Sequence, residues 1–470
     1  MKKIMYWMAL LLLVSPFWSS TVGAVPCSNS AIQTAINAAA DGATINVDAG
    51  TCTWTGSVTM PNTKGVKLIG DGSGNTIINM GSNSIYLQTS SARQPIRISG
   101  FRFNANVVHP SPGYITISGT ATDWRIDNNI FDDQNMNGSY TIFIFGSNGN
   151  VDSVTYGVID HNQFINRNYA TSIFIEWPRG GVTDPVAQGD WIWSQPAQRG
   201  TAHAVYIENN VFSGTGQASQ VVDGRWGMKY VLRYNTIHNP WITTHSGCTN
   251  GGRDPIWVEI YKNTFTDDAN RFWTSVHLRS VSGLVWGNTS AVPLNNGFGI
   301  YIDHERSYAS CSGPYGPMCN GTRAWDENAG LHGYRCLGQP GWGQPQASNM
   351  SAATFQGVYV WANTDAGSPV NLSTMGGGYT GEHIQFGREL FNAANMTIGL
   401  IANRPSTCSP GPSNRSVYVS TNENSQGATI YVCSATNTWT KHWEPYTYPH
   451  PLTLGAIPKV LNPPTIMQVN

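Results

Sequence analysis

Short hydrophobic runs recur along the chain, and most of them share one motif. The motif is an aliphatic residue, two residues of any type, an asparagine, one further residue and then usually Phe or Ile. The asparagines of five clear copies and two weaker ones are Asn129, Asn162, Asn210, Asn235 and Asn263, then Asn288 and Asn363. The base period is near 25 residues, with occasional insertions. This repetition predicts a solenoid, in which each repeat packs on its neighbours.

A second β-rich run follows within each period. These runs are Ile115–Ser118, Thr141–Phe145, Ser172–Glu176, Val221–Asp223, Ser275–Arg279 and Gly299–Asp303. Two or three short strands per period, without helical periodicity between them, predict an all-β fold, a right-handed parallel β-helix. Equivalent residues of stacked coils would then lie about 4.8 Å apart. The recurring Asn is expected to point inward and to bond the coils above and below it.

An amphipathic helix is predicted just before the first coil. Ser28 to Ser30 are suited to cap its N-terminus, its apolar positions run from Ala31 to Ala39, and Gly42 ends it. We expect this helix to cover the open end of the first coil, which is an edge that must be capped.

The capping segment also carries a family resemblance. Its residues are Ala31-Ile-Gln-x-Ala-Ile-x-x-Ala39, Asp41-Gly42 and Val47-x-Ala-Gly50-Thr51. They resemble the N-terminal cap of the pectate-lyase-like β-helix superfamily, and with the Asn repeats the resemblance covers roughly residues 28–365. That superfamily includes lyases, hydrolases, isomerases and non-catalytic tail proteins, so the resemblance implies the fold and leaves the activity open.

The two ends of the chain differ from the repeat. Lys2 and Lys3, the apolar stretch after them and Val22-Gly23-Ala24 predict a signal peptide over residues 1–24 and hence a secreted protein, and no membrane span is expected. The β-helix is predicted over 25–402, with long loop insertions at 178–202 and 305–350. Residues 403–445 are predicted to form a disulfide-pinned hairpin module, and 446–470 a C-terminal tail.

Composition also predicts disulfide bonds and argues against one class of binding partner. All eight Cys lie beyond the predicted signal peptide, and their even number in an exported chain predicts disulfides. Cys27–Cys52 and Cys408–Cys433 are the locally plausible pairs. A net charge of −1, with 11% of residues charged, argues against a nucleic-acid partner.

Titratable residues occupy one repeated position in the second β-run of the later coils. They are Glu176, Asp223, His245, Arg279 and Asp303, whereas earlier coils have Ser118 or Phe145 there. On this alignment the five form a column of candidate catalytic residues. The residues beside it, Arg225, His277 and His304, are candidates for substrate binding. The alternative interpretation is that charged strand ends simply meet water.

Tryptophans supply a further indication of carbohydrate binding. Trp177, Trp191 and Trp193 lie in or beside the insertion 178–202, and Trp226 comes from a later coil. Flat rings suit the apolar faces of sugars. The alternative is that several of these rings pack under loops or in the core.

Two reactions on a polysaccharide fit such a column. In β-elimination from a uronate, Arg279 or Arg225 would neutralise the carboxylate and His245 or His277 would remove the α-proton. A calcium ion is a candidate ligand near Asp223 or Asp303.

In glycoside hydrolysis two carboxylic groups are needed, and Glu176, Asp223 and Asp303 are the candidates. The diagnostic motifs of hydrolases and lyases of this fold are absent from the sequence. The leading interpretation is a secreted lyase that acts on an acidic glycan. A glycoside hydrolase and a non-catalytic glycan-binding or adhesion protein are the alternatives.

Overall fold

The protein is described from a computed structural model. The described residues are 21–105, 107, 113–133, 139–146, 154–166, 170–176, 193, 195–214, 220–245, 255–268, 275–295, 297–304, 338–343, 353–370, 372–374, 384–411 and 414–454.

Three long sheets dominate the described part of the chain, and they define a parallel β-helix solenoid. Sheet A has twelve strands, sheet B eleven and sheet C ten. Consecutive strands of one sheet come from successive coils and pair in parallel, apart from the last pair of sheet B, which is antiparallel. Most coils therefore contribute one strand to each sheet, in agreement with the two or three strands per period that the repeat predicted.

The strand bounds follow the repeat. Sheet A consists of Thr21–Val25, Thr44–Val47, Lys67–Gly70, Arg97–Ser99, Trp124–Asp127, Gly157–Asp160, Val205–Glu208, Lys229–Arg233, Trp257–Tyr261, Ser282–Trp286, Val358–Trp361 and Leu390–Asn392. Sheet B consists of Gly50–Thr53, Thr76–Asn79, Arg102–Ala105, Ile130–Asp133, Gln163–Asn166, Val211–Ser213, Thr236–His238, Thr264–Thr266, Thr289–Ser290, Thr364–Asp365 and Ser368–Pro369. Sheet C consists of Val58–Met60, Ile85–Thr89, Ile115–Gly119, Ser139–Phe145, Ala170–Glu176, Gln220–Arg225, Ile242–Thr243, Val276–Arg279, Ile300–Asp303 and Leu372–Thr374.

The predicted asparagine ladder is confirmed in all seven copies of the motif. Each Asn side chain is at most 2% exposed. From Asn129 to Asn288, each Nδ2 donates to Oδ1 of the Asn in the next coil at 2.8–3.1 Å. That same Oδ1 also accepts the backbone N–H of the preceding Asn. The ladder therefore fixes both the spacing and the register of seven coils.

The turn from sheet A to sheet B places one residue in the left-handed region just before each ladder Asn. These residues are Asn128, His161, Asn209, Tyr234, Lys262, Gly287 and Ala362, with φ between 52° and 63°. Six of them are not glycine, although the left-handed conformation costs an ordinary residue roughly 1–2 kcal/mol. The hydrogen bonds of the following Asn hold the turn in this conformation.

Aromatic rings stack inside the solenoid beside the ladder. Phe103, Phe131, Phe164 and Phe212 follow one another with ring centroids 4.8–5.4 Å apart. These phenylalanines come from sheet B and are at most 3% exposed. Ile, Leu and Val side chains supply much of the remaining core, since every second residue of a strand points inward.

A helix covers the first coil, as predicted. It spans Asn29–Ala38, and the Ser28 side chain accepts the backbone N–H of Ala31 at its N-terminus. Ile32 and Ile36 are fully buried against the coil.

The two predicted disulfides, Cys27–Cys52 and Cys408–Cys433, are confirmed. The remaining cysteines lie outside the described residues, and so does most of the predicted signal peptide. The first strand of sheet A, Thr21–Val25, includes the predicted cleavage position after Ala24. Cleavage there would leave Thr44–Val47 as the edge strand.

The chain after the last coil forms a small separate sheet. Its strands are Thr397–Gly399, Val417–Ser420, Thr429–Ala435 and Thr438–Trp443. A two-stranded sheet, Trp342–Gly343 with Thr354–Phe355, lies between the later coils in sequence. Single 3₁₀ turns occur at Ile401–Asn403 and Pro451–Thr453.

Replacing Asn235 with Ala should lower the free energy of unfolding by about 1–3 kcal/mol, because the buried N–H of Asn210 and the carbonyl of Ile207 lose their partner. Urea unfolding followed by circular dichroism measures this difference. The matched control, Asn403→Ala, removes an exposed amide and should change stability by less than about 0.5 kcal/mol. Equal losses in the two variants would contradict the ladder's role.

Candidate functional site

The outer face of sheet C carries most of the titratable residues that the sequence singled out. Along Gln220–Arg225, Val222 points into the core whereas Asp223 and Arg225 point outward. Along Val276–Arg279, Val276 and Leu278 are core residues, and His277 and Arg279 alternate with them. Strand alternation thus presents the charged side chains together on one face.

The register of sheet C confirms four members of the predicted column and corrects one. Glu176 lies opposite Arg225, and Arg279 lies opposite Asp303. The backbone N–H of His245 bonds the carbonyl of Gly224, which places His245 beside Arg225 in the parallel pairing. The column therefore contains Arg225 where the alignment had placed Asp223.

Asp223 lies two residues earlier, opposite Phe174. A shift of two residues keeps a side chain on the same face of a strand, so the alternating pattern could not distinguish the two registers. A second outward column therefore runs beside the first and contains Asp223 and His277.

An aspartate–histidine pair links the two columns. His245 Nδ1 lies 2.8 Å from Asp223 Oδ1, which also accepts the backbone N–H of Gly224 at 2.7 Å. The Asp223 side chain is nearly buried, whereas 37% of the His245 side chain is exposed. With Nδ1–H donated to the carboxylate, Nε2 becomes the basic nitrogen of the ring.

A second such pair lies on the next coils. His277 Nε2 contacts Asp303 Oδ2, and both side chains are buried. Arg279 lies beside this pair, with its Nε 3.9 Å from Asp303 Oδ2. The buried Nη1 of Arg279 has no hydrogen-bond partner among the described residues. The Arg279 side chain as a whole is 18% exposed, so this cation lies at the edge of the face.

Arg225 and Glu176 form an ion pair at the other end of the column. Arg225 Nη2 lies 3.0 Å from Glu176 Oε2, and both side chains remain partly exposed. The guanidinium also lies over the ring of Trp226 at 4.2 Å from the centroid. Trp226 itself is fully buried, so its prediction as a substrate-binding residue is wrong; it supports Arg225 by packing.

Two further predicted binding residues also lie away from the surface. Trp193 is 7% exposed and belongs to an aromatic cluster on the outer face of sheet A, with Trp257 and Trp443. It therefore does not form a wall of the face on sheet C. His304 is fully buried. Trp177 and Trp191 lie outside the described residues.

Sequence reasoning missed an aromatic surface on the same sheet. The rings of Tyr140, Phe143, Phe145 and Phe174 form one contiguous group, with centroid separations of 4.4–5.8 Å between neighbours. Phe145 pairs with Glu176 on the next coil, and Phe174 pairs with Asp223 on the next coil. The alternation of Ile142 and Ile144 with Phe143 and Phe145 was the available signal, because it places the phenylalanines outward.

A second ionisable network, on the outer face of sheet A, is covered by the C-terminal segment. Arg233 contacts Glu208 at 2.7 Å and donates to the carbonyls of Tyr446 and Thr447. Glu208 also accepts the backbone N–H of His450 at 2.9 Å. These contacts fasten the segment to the solenoid, which gives the network a structural role.

Burial changes the protonation of two groups under this segment. It raises the pKa of Glu259 to about 7, although Trp443 Nε1 donates to its carboxylate at 2.7 Å. Burial also lowers the pKa of His450 to about 4. Both groups are therefore held in their neutral forms near pH 6.

A cleft of about 1360 Å³ lies along sheet A, away from the face on sheet C. Arg97, Arg125 and Tyr448 are among its lining residues. Arg97 pairs with Asp127 and Arg125 with Asp160 at 2.5–2.7 Å, so these guanidinium charges are already neutralised.

In the described part of the chain, no three His, Cys, Asp or Glu side chains converge as metal ligands, so calcium stays a prediction. None of the helices in that part is long and apolar enough to cross a bilayer.

Comparison with known proteins gives only remote similarities. No protein-family model matches the chain, and no curated protein matches its sequence. Among solved structures, the chain is similar to the PL6 family polysaccharide lyase Pedsa3628 from Pseudopedobacter saltans, with 13% identity over 60% of this chain and 63% of that chain, at a TM-score of 0.33. It is also similar to the PL6 family alginate lyase AlyGC, with 12% identity over 88% of this chain and 55% of that chain, at a TM-score of 0.27. The chain thus spans less than two thirds of either neighbour, and scores this low carry no statement about activity.

The exposure difference between the two histidines of the face predicts their reactivity. Diethyl pyrocarbonate should modify His245 and spare His277, whose side chain is only 4% exposed. Peptide mass spectrometry of the folded protein measures both sites, and His161, with 51% exposure, is the positive control. Modification of His277 at the rate of His245 would contradict the described packing.

Proposed function

We propose that the protein is a secreted polysaccharide lyase that cleaves an acidic glycan by β-elimination. The observation that carries the proposal is the Asp223–His245 pair beside Arg279 on the outer face of sheet C. A base, the carboxylate that orients it and a partly exposed cation lie on one face. Elimination from a uronate requires the base and the cation.

The reaction can be written with the residues present. Arg279 binds the uronate carboxylate and stabilises the charge that develops as the proton on the adjacent carbon leaves. His245 Nε2 takes that proton, and Asp223 stabilises the imidazolium through Nδ1. The electron pair of the broken C–H bond forms a double bond in the ring. The bond to the glycosidic oxygen breaks, that oxygen takes a proton from solvent water to become the hydroxyl of the new chain end, and the His245 imidazolium returns its proton to solvent.

Glycoside hydrolysis remains the second candidate, and the contacts favour it less. Hydrolysis needs two carboxylic groups, one of them protonated. On this face Glu176 contacts Arg225, Asp223 contacts His245 and Asp303 contacts His277. Each of the three carboxylates thus already contacts a basic side chain of a neighbouring coil. A non-catalytic glycan-binding protein is the third reading, and it predicts binding without cleavage.

Export is part of the proposal. Disulfides persist in oxidising compartments outside the cytosol, and the two described disulfides fit such a location. The polymeric substrate is found there as well.

Incubation of the purified protein with a panel of uronate-containing and neutral polysaccharides tests the activity. We expect only polysaccharides that contain uronate to yield products with the ultraviolet absorbance of an unsaturated uronate. His245→Ala and Arg279→Gln should each reduce the rate by about 10²–10⁴-fold without changing the melting temperature. Lys441→Ala, an exposed change on the C-terminal sheet, is the control and should keep full activity.

Each other outcome identifies a different function. New reducing ends without the absorbance would establish a hydrolase instead. Binding of a glycan without any cleavage would establish the non-catalytic reading. If His245→Ala and Arg279→Gln lower the melting temperature as well as the cleavage rate, the charged face has a structural role.

A further inference from the structure

The face on sheet C changes its chemistry between two neighbouring coils. On the strands Ser139–Phe145 and Ala170–Glu176, Glu176 at the very end is the only ionisable residue. The next coils along the sheet contribute Asp223, Arg225 and His245. The aromatic group of Tyr140, Phe143, Phe145 and Phe174, here called the aromatic platform, therefore borders the charged residues directly.

The platform is accessible at its outer rings. Phe143, Phe145 and Tyr140 are partly exposed, whereas Phe174, on the adjacent strand beside Phe143, is nearly buried. The guanidinium of Arg225 lies 5.5 Å from the centroid of Phe174, so the border between platform and charged residues is a direct contact. Stacked coils lie about 4.8 Å apart, so Phe174 lies two coils and the other three rings three coils from His245, roughly 10–14 Å along the sheet.

The platform suits an uncharged sugar. The apolar C–H face of a pyranose gains contact with flat rings. The charges of Arg225 and Glu176 at the platform edge offset each other in an ion pair, so a carboxylate on the rings would lose hydration without gaining an unpaired cation. Along the face, a carboxylate is favoured beside Arg279 and disfavoured beside Phe143.

We propose that the substrate is a heteropolysaccharide in which the uronate bound at His245 and Arg279 is followed, further along the glycan, by an uncharged sugar stacked on Phe143 and Phe145, three coils from His245. The glycan then runs along the solenoid axis, across the coils. Homopolymers of uronate are poor substrates, because they place a second carboxylate on the platform. This inference rests on the proposed lyase activity for its acidic subsite, and it adds the class of the sugar bound at the platform.

The test compares two purified oligosaccharides of equal length, one alternating uronate and neutral sugars and one built of uronate alone. Binding to the full-length protein is measured by calorimetry, and cleavage by product absorbance. We expect the alternating oligosaccharide to bind at least about tenfold more tightly. In the double variant Phe143→Ala, Phe145→Ala its affinity should fall about tenfold, whereas kcat and the affinity for the uronate oligosaccharide stay within about twofold.

Two controls keep the outcome interpretable. Phe386→Ala removes an exposed ring from the C-terminal region and should change neither affinity. Phe143→Leu with Phe145→Leu keeps the apolar volume and removes the flat rings, so it replaces the alanine variant if that variant does not fold.

Equal affinity of the wild type for the two oligosaccharides, or unchanged affinity in a folded double variant, would overturn the platform proposal. Tight binding of the alternating oligosaccharide that depends on both phenylalanines, without cleavage of either oligosaccharide, would support the platform and overturn the lyase activity.

Discussion

The internal hydrogen bonds of the asparagine ladder are the constraint on which the rest of the structure depends. Each ladder Asn bonds the next Asn and the backbone of both neighbouring coils, so a coil cannot shift by one residue without leaving several buried groups unpaired. The register is therefore fixed along the solenoid. Side chains from distant parts of the sequence then form straight columns on the outer faces of the sheets.

The candidate site follows from this geometry. Asp223 and His245 are 22 residues apart in sequence, yet adjacent strands bring them into contact at 2.8 Å. Their diagonal placement across two columns gives the histidine an orienting carboxylate while its ring stays accessible. The neighbouring coils add Arg279 on one side and the aromatic platform on the other. One sheet face thereby combines a base, a cation and an apolar surface, which is what recognition and cleavage of a partly charged glycan requires.

The repeat allowed the fold, the ladder and the disulfides Cys27–Cys52 and Cys408–Cys433 to be predicted, because each depends on local spacing. The column was predicted at four of its five positions. Asp223 was misplaced because a two-residue shift preserves the alternation. The burial of Trp193 and Trp226 could not be predicted from the local sequence. For Trp193, it depends on contacts with the distant C-terminal chain around Trp443. The aromatic platform was missed because outward and inward phenylalanines look alike until the register is known.

The central claim is that His245 removes the proton next to a uronate carboxylate. The most direct measurement is mass spectrometry of the product formed from a uronate substrate deuterated at that carbon. The account predicts an unsaturated product that has lost the deuterium in the wild type, and no such product with His245→Ala. A saturated product that retains the deuterium, or loss of deuterium at an unchanged rate in His245→Ala, would contradict it.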